Sequence, residues 1–310
     1  MKKILLFAIM TLNAFALKAQ QEVEYTQFMY NKMALNPAYA GSRDITSFNM
    51  LGRYQWVGFT GAPKTLSLNV HSPIMNNKVA MGINLVYDQL GLHNHTYLDL
   101  AYAYRLQIKE KLRLSIGING QVRRMGLNLS DAQSNDGLGI DNSLVTQNSA
   151  KMFLNAGAGL YLHHNNYYLG LSAQNLVPNK YEFGQANALV SKQYIHFAGM
   201  AGLALPLGKN LVIKPALLIK SVKNSPMQAD INMGLMFKNA LTIGATFRTG
   251  DSYAAMVAYE FGNGLRLGYA HDFTFTGLRK ANDGSHEIML GWDLGKVRES
   301  AGGYDNPRYF

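Results

Sequence analysis

Ser285-His286-Glu287-Ile288-Met289-Leu290-Gly291-Trp292-Asp293-Leu294-Gly295 alternates strictly in polarity. In an extended chain Ile288, Leu290, Trp292 and Leu294 fall on one face and Glu287, Met289, Gly291 and Asp293 on the other. The same period of two sets Leu112, Leu114, Ile116 and Ile118 against Arg113, Ser115, Gly117 and Asn119. It also sets Leu241, Ile243, Ala245 and Phe247 against Thr242, Gly244, Thr246 and Arg248. A run of about ten residues is what a tilted strand needs to cross a bilayer. Working outward, the pattern predicts fourteen strands: 46–55, 65–73, 79–89, 96–107, 112–127, 150–163, 167–176, 192–206, 211–222, 228–237, 240–249, 253–261, 265–272 and 285–295.

Alternate connections are short and carry Asn, Gly and Lys, residues suited to tight hairpins: 74–78, 108–111, 164–166, 207–210, 238–239 and 262–264. Between them lie longer ones, notably Asn128 to Ser149 and Val177 to Ser191. Short turns on one side, long loops on the other and an even strand count form the plan of a bacterial outer-membrane barrel. The expected fold is all-β, a multi-pass barrel over 46–295 with both termini periplasmic.

Which face is polar separates this fold from a soluble barrel. Arg53, Asp99, Arg105, Arg113, Arg123, Arg248, Arg266, Asp272 and Asp293 share their face with many Gly and Ala, and Leu, Ile, Val and Tyr occupy the other. A water-exposed barrel would place its large apolar side chains inside. Lipid selects the inverse, with every backbone group paired and no edge left open. Tyr54, Trp56, Tyr87, Tyr97, Tyr167, Tyr253 and Phe261, at or near strand ends, suit interfacial girdles contacting outer-membrane lipid and lipopolysaccharide. The polar face reads as a solvated lumen lining, so small positions there, such as Ser115 and Gly291, are expected to accept Asn.

Composition agrees. Of 310 residues 48% are apolar and only 15% charged, against about a quarter charged in soluble domains. The absence of cysteine excludes disulfides, thiolate metal sites, a cysteine nucleophile and a lipidated N-terminal cysteine. Lys2 and Lys3 precede the apolar run from Ile4, which ends at Ala19, in the order of a secretory signal over 1–19. That run is too short to span a bilayer as a helix. Residues 20–45 do not alternate. Tyr25, Phe28, Met29 and Met33 recur at near-helical spacing before Pro37, which ends a helix. Two readings fit: a periplasmic tail with a hydrophobic anchor, or a plug folded into the lumen. Residues 296–310 read as a periplasmic tail.

Catalytic patterns are missing. The eight histidines are scattered, and His93 and His95 form a pair in an expected loop that lacks further metal ligands. Asp131, Asn135, Asp136 and Asp141 lack the spacing and closing glutamate of an EF-hand calcium loop. Gly61-Ala62-Pro63-Lys64-Thr65 lacks the glycine before lysine of a phosphate loop. Arginines spread over many strands of an exported chain do not make a nucleic-acid surface. The expectation is a non-enzyme with no cofactor, no metal and no nucleic-acid partner.

Two blocks carry a family resemblance. Gln27-Phe28-Met29-Tyr30-Asn31, followed by Ala34-Leu35-Asn36-Pro37-Ala38-Tyr39-Ala40-Gly41-Ser42, resembles the start of PorP/SprF proteins, outer-membrane components associated with the type IX secretion system of Bacteroidota. Arg53-Tyr54-Gln55-Trp56-Val57-Gly58-Phe59 with Gly61-Ala62-Pro63 resembles a second family segment, and Asn306-Pro307-Arg308-Tyr309-Phe310 the family's ending. The resemblance implies a role in secretion or surface attachment of large proteins, with type IX components and a secreted protein as partners, and in some organisms gliding. It makes Asn36, Pro37, Ala38, Tyr39 and Gly41, with Arg53, Gln55, Trp56, Gly58 and Phe59, candidate plug or partner-binding residues. The alternative is a passive porin or a hydrophobic-substrate channel, since an Asn-Pro-Ala segment ahead of fourteen strands also resembles FadL-type transporters.

Overall fold

The computed structural model describes residues 23–128, 149–183 and 189–295. The segments read as signal (1–19) and C-terminal tail (296–310), and the acidic residues weighed for calcium, lie outside them. No helix among the described residues is long and apolar enough to cross a membrane.

Seventeen strands are described: β1 (Thr46–Tyr54), β2 (Lys64–Ile74), β3 (Val79–Leu90), β4 (His93–Lys109), β5 (Leu112–Leu127), β6 (Ser149–His163), β7 (Tyr167–Gln174), β8 (Lys180–Phe183), β9 (Leu189–Lys192), β10 (His196–Leu203), β11 (Leu205–Leu207), β12 (Leu211–Val222), β13 (Gln228–Phe237), β14 (Leu241–Arg248), β15 (Ser252–Glu260), β16 (Leu265–Thr274) and β17 (Ser285–Leu294). Each wall strand pairs antiparallel with its chain neighbour, and β1 pairs with β17 from Thr46↔Leu294 to Tyr54↔His286. β10 and β11 are two parts of one wall strand. Both pair with β12 in one register, from Gly202↔Ala216 to Leu205↔Ile213, interrupted only at Leu203 and Ala204. β8 and β9 form a separate hairpin. The wall is therefore a closed barrel of fourteen strands, as the alternation predicts.

The sequence places wall strand boundaries closely, with three differences. The loop expected over 177–191 contains the β8–β9 hairpin. His93 and His95 lie in β4 rather than in a loop, because the ladder with β3 continues to Leu90↔His93 and leaves a two-residue turn. Long and short connections are also less strictly segregated than expected, since this turn and the one at 249–251 are tight yet lie at the long-loop end.

The facing pattern follows from alternation. Ile116, Ile118, Ile288 and Leu290 point outward and are 42–63% exposed, whereas Ser115, Glu287 and Met289 point inward and are fully buried. An aliphatic outer belt of this extent is stable only against hydrocarbon.

Inside the wall lies the chain from Val23 to Ile45. Its short helix α1 (Lys32–Leu35) ends at Asn36, and Pro37–Tyr39 forms a single 3-10 turn. Asn36 caps that turn: its side chain accepts from the Ala38 N–H at 2.9 Å, while its amide donates to the Leu160 and Leu171 carbonyls at 3.0 and 3.1 Å. Tyr25, Phe28, Met33, Leu35 and Tyr39 are buried in one cluster with Leu51, Tyr161, Tyr168, Met200 and Leu218 of the wall. Burying each large side chain contributes about 1.5–3 kcal/mol. The lumen is thus packed rather than solvated, which corrects the expectation for inward small positions. A Cβ on Gly117 would collide with the backbone of Ala38, and one on Gly291 would lie 2.9 Å from Arg266 Nε.

Candidate functional site

The inward arginines and acids sort into clusters along the barrel axis, each holding part of the N-terminal segment. At the long-loop end Arg53 Nη2 donates to Asp272 Oδ2 at 2.7 Å and Nη1 to Thr26 Oγ1 at 2.9 Å, with Glu287 Oε2 at 3.3 Å. Arg248 reaches Asp230 at 3.1 Å and both Asp272 and Glu24 at 3.2 Å. Glu287 also accepts the backbone N–H groups of Thr26 and Gln27, at 2.8 and 2.7 Å. Burial raises the Glu24 carboxyl pKa, but Arg248, with Lys220 and Arg53, outweighs it and holds Glu24 below its ordinary value.

Midway, Asn31 Oδ1 accepts from Asn69 at 2.6 Å, and Asn31 donates to Ser67 at 3.3 Å. Lys32 is buried with its ammonium over the rings of Tyr39 and Tyr168, at 5.0 and 4.6 Å. Gly41 takes φ +72, and a Cβ there would collide with Ala80 Cβ. Its N–H donates to His71 Nδ1 at 3.1 Å.

At the short-turn end Arg43 is paired with Asp293, Nη2 to Oδ2 2.6 Å, and Arg266 reaches the same carboxylate at 3.2 Å. Arg105 and Arg113 both donate to Asp44, each at 2.6 Å. Arg113's hydrogen bonds and Arg105's charge overcome burial to keep Asp44 below its ordinary pKa. Asp99 pairs with Arg123 at 2.7 Å, away from the segment.

The segment therefore runs the length of the lumen, from Glu24 and Thr26 at the long-loop end to Arg43 and Asp44 at the short-turn end. The start of the described chain and Leu294 lie at opposite ends of the barrel. The termini themselves lie outside the described residues.

Arg53 faces this lumen network and not the turn that follows it. That turn is held by backbone contacts: Gln55 N–H to the Pro63 carbonyl (3.0 Å), Val57 N–H to the Gly284 carbonyl (2.8 Å) and Trp56 N–H to Ser285 Oγ (3.1 Å). Gln55 is buried, Trp56 takes φ +49 and is half-buried, Gly58 takes φ +89, and Phe59 is 43% exposed. The structure thus divides the candidate residues: Asn36 to Gly41 and Arg53 lie in the lumen, and Trp56 to Phe59 lie at the rim. Among the described residues no group of three or more His, Asp or Glu could hold a metal. No local spacing marks Asp230, Asp272 and Glu287 as one site, because three separate strands supply them.

A closed antiparallel wall, aliphatic outside and charged inside, crossed by its own N-terminal segment, defines an outer-membrane β-barrel. The sequence profile of the type IX secretion system membrane protein PorP/SprF family matches residues 17–292, and the chain belongs to that family. No curated protein sequence matches the chain. Similar solved structures include a Pseudomonas aeruginosa FadL homologue, with 10% identity over 84% of this chain and 93% of that one at TM-score 0.47. The Ralstonia pickettii toluene transporter TbuX has 9% identity over 85% and 92% at TM-score 0.49. The Acinetobacter baumannii outer membrane protein Omp33 has 10% identity over 81% and 98% at TM-score 0.45.

Proposed function

We propose that this barrel is a plugged, non-enzymatic anchor that supports type IX secretion, or surface retention of a large secreted protein such as a gliding adhesin, through its long-loop face. The observation that carries this reading is the filled lumen: residues 23–45 are packed and ion-paired to the wall from end to end. The alternative, a porin or hydrophobic-substrate channel, needs free space. Between segment and wall, the cavity lined by Met29, Tyr30, Tyr168, Leu203 and Lys214 holds about 20 Å³ and that lined by Tyr39, Ser42, Asp44, Arg113 and Tyr161 about 70 Å³, room for a few waters. With the segment packed through the lumen, the rim turn with half-buried Trp56 and exposed Phe59 is the best candidate contact, since aromatics anchor protein interfaces. The Trp56→Ala/Phe59→Ala double variant is expected to leave the barrel folded and abundant but to reduce surface retention or export of its partner. Normal display of every type IX substrate in a strain carrying the folded variant would overturn the assignment.

A further inference from the structure

On the outer surface of the wall, four residues stand in one cross-strand row near the long-loop end. Lys64 pairs with Tyr54, Tyr54 with His286, and His286 with His271. The Lys64 ammonium lies over the Tyr54 ring at 5.1 Å. Tyr269 Oη and His286 Nδ1 share a hydrogen bond of 2.6 Å, and the rings of His271 and His286 are 4.6 Å apart. The connection between β16 and β17 at the same end adds exposed Arg279 and Lys280 and one exposed acid, Asp283. No acid occupies an outward position on these strands, because Asp272 and Glu287 point inward and are held by Arg53.

Directly below the row the wall has a groove. Gly52 occupies an outward position where a Cβ would meet nothing within 4 Å. Met50, Ile288 and Leu290 flank it, and the groove, an open depression of about 670 Å³, reaches up to Tyr54, Lys64 and His286. It opens sideways, onto the face that meets hydrocarbon.

A head of one ammonium, two imidazole donors and nearby Arg279 and Lys280 above an apolar, laterally open slot matches one amphiphile in charge and in placement. We propose that the groove over Gly52 binds a phosphorylated outer-leaflet lipid of the lipid A type, with an acyl chain along Met50, Gly52 and Leu290 and a phosphate at Lys64 and His286. This rests on the barrel reading and on the long loops facing outward, and it is independent of whether Trp56 and Phe59 contact a secreted protein.

Native mass spectrometry of the detergent-purified barrel, titrated with bis-phosphorylated lipid A, with its dephosphorylated form and with phosphatidylglycerol, tests it. The wild-type barrel should retain phosphorylated lipid A over both other probes. Gly52→Leu, which fills the slot without touching the lumen, should lower retention at least about tenfold, what one lost well-made contact amounts to. The Lys64→Gln/His286→Gln pair should bind the phosphorylated and dephosphorylated forms equally. Wild-type retention by a Gly52→Leu barrel of unaltered heat modifiability would overturn the proposal. A preference for phosphatidylglycerol, or loss of a co-purifying protein instead of lipid from Gly52→Leu, would also overturn it.

Discussion

Arg43, three residues before the first strand begins, and Asp293, one residue before the last strand ends, are joined by paired hydrogen bonds inside the wall, the shortest 2.6 Å. Asp293 is also the counter-charge of Arg266 and accepts from Ser47 at 2.6 Å. Asp293→Asn therefore leaves two buried guanidinium groups short of charge and should cost about 3–5 kcal/mol. Arg43→Met should cost clearly less, because Asp293 keeps Arg266. The denaturation temperatures of the two purified variants give the order, and equal values would show that the carboxylate is not shared as the geometry indicates.

Face assignment can be tested at neighbouring positions. Ile116→Arg places a cation in the lipid belt, at a cost of about 2–4 kcal/mol near midplane, and should impair insertion. Gly117→Leu should also fail, for a different reason, because its side chain would occupy the space of Ala38. Trimming the segment should rescue Gly117→Leu but not Ile116→Arg in a heat-modifiability assay. Rescue of both, or of neither, contradicts the packed lumen.

These two positions also show what the sequence makes legible. The outward set, Ile116 through Leu294, is readable because hydrocarbon imposes one requirement on every position, and period two displays it. The inward set is readable only as polar. That Gly117 and Gly291 are small to admit Ala38 and Arg266, rather than to leave a channel, depends on a segment whose own residues carry no strand period. Near-helical spacing at Tyr25, Phe28 and Met33 marks an apolar surface without saying what it packs on. Likewise Glu24, Asp230 and Asp272 meet only after the wall closes, so no local spacing reveals their shared arginine.

Orientation is open to direct measurement, since the chain has no cysteine. Phe59→Cys and Val23→Cys should both react with a membrane-impermeant maleimide on intact cells, Val23→Cys more slowly because it is half-buried. Asn239→Cys, in the turn between β13 and β14, should react only after lysis. Labelling of Asn239→Cys on intact cells would reverse the barrel.

Acid should loosen the segment. Glu24 and Asp44 are held below their ordinary pKa values against burial, by Arg248 and by Arg113 with Arg105 respectively. A depressed carboxylate stabilises the folded state fully above its ordinary range, and that stabilisation is lost as pH falls through this range toward the folded value. Hydrogen-exchange protection of residues 23–45, taken relative to the intrinsic amide rate at each pH, should fall between pH 5 and pH 3, roughly the span from above the ordinary carboxylate values to below them. A Glu24→Gln/Asp44→Asn barrel should show a flatter profile, and an unchanged profile would assign the effect elsewhere.

The pairing of β1 with β17 bears on biogenesis. Those strands come from opposite ends of the chain, and the residues immediately before β1 occupy the space that their pairing encloses. Seated before the last ladder zips, the segment would act as a mandrel: the strands would close around a solid former that satisfies Arg53, Arg248 and Asp293. A ring that closed first would have to admit Phe28 and Tyr39 end-on, past those same charges, so the residues beside the seam favour seating before closure.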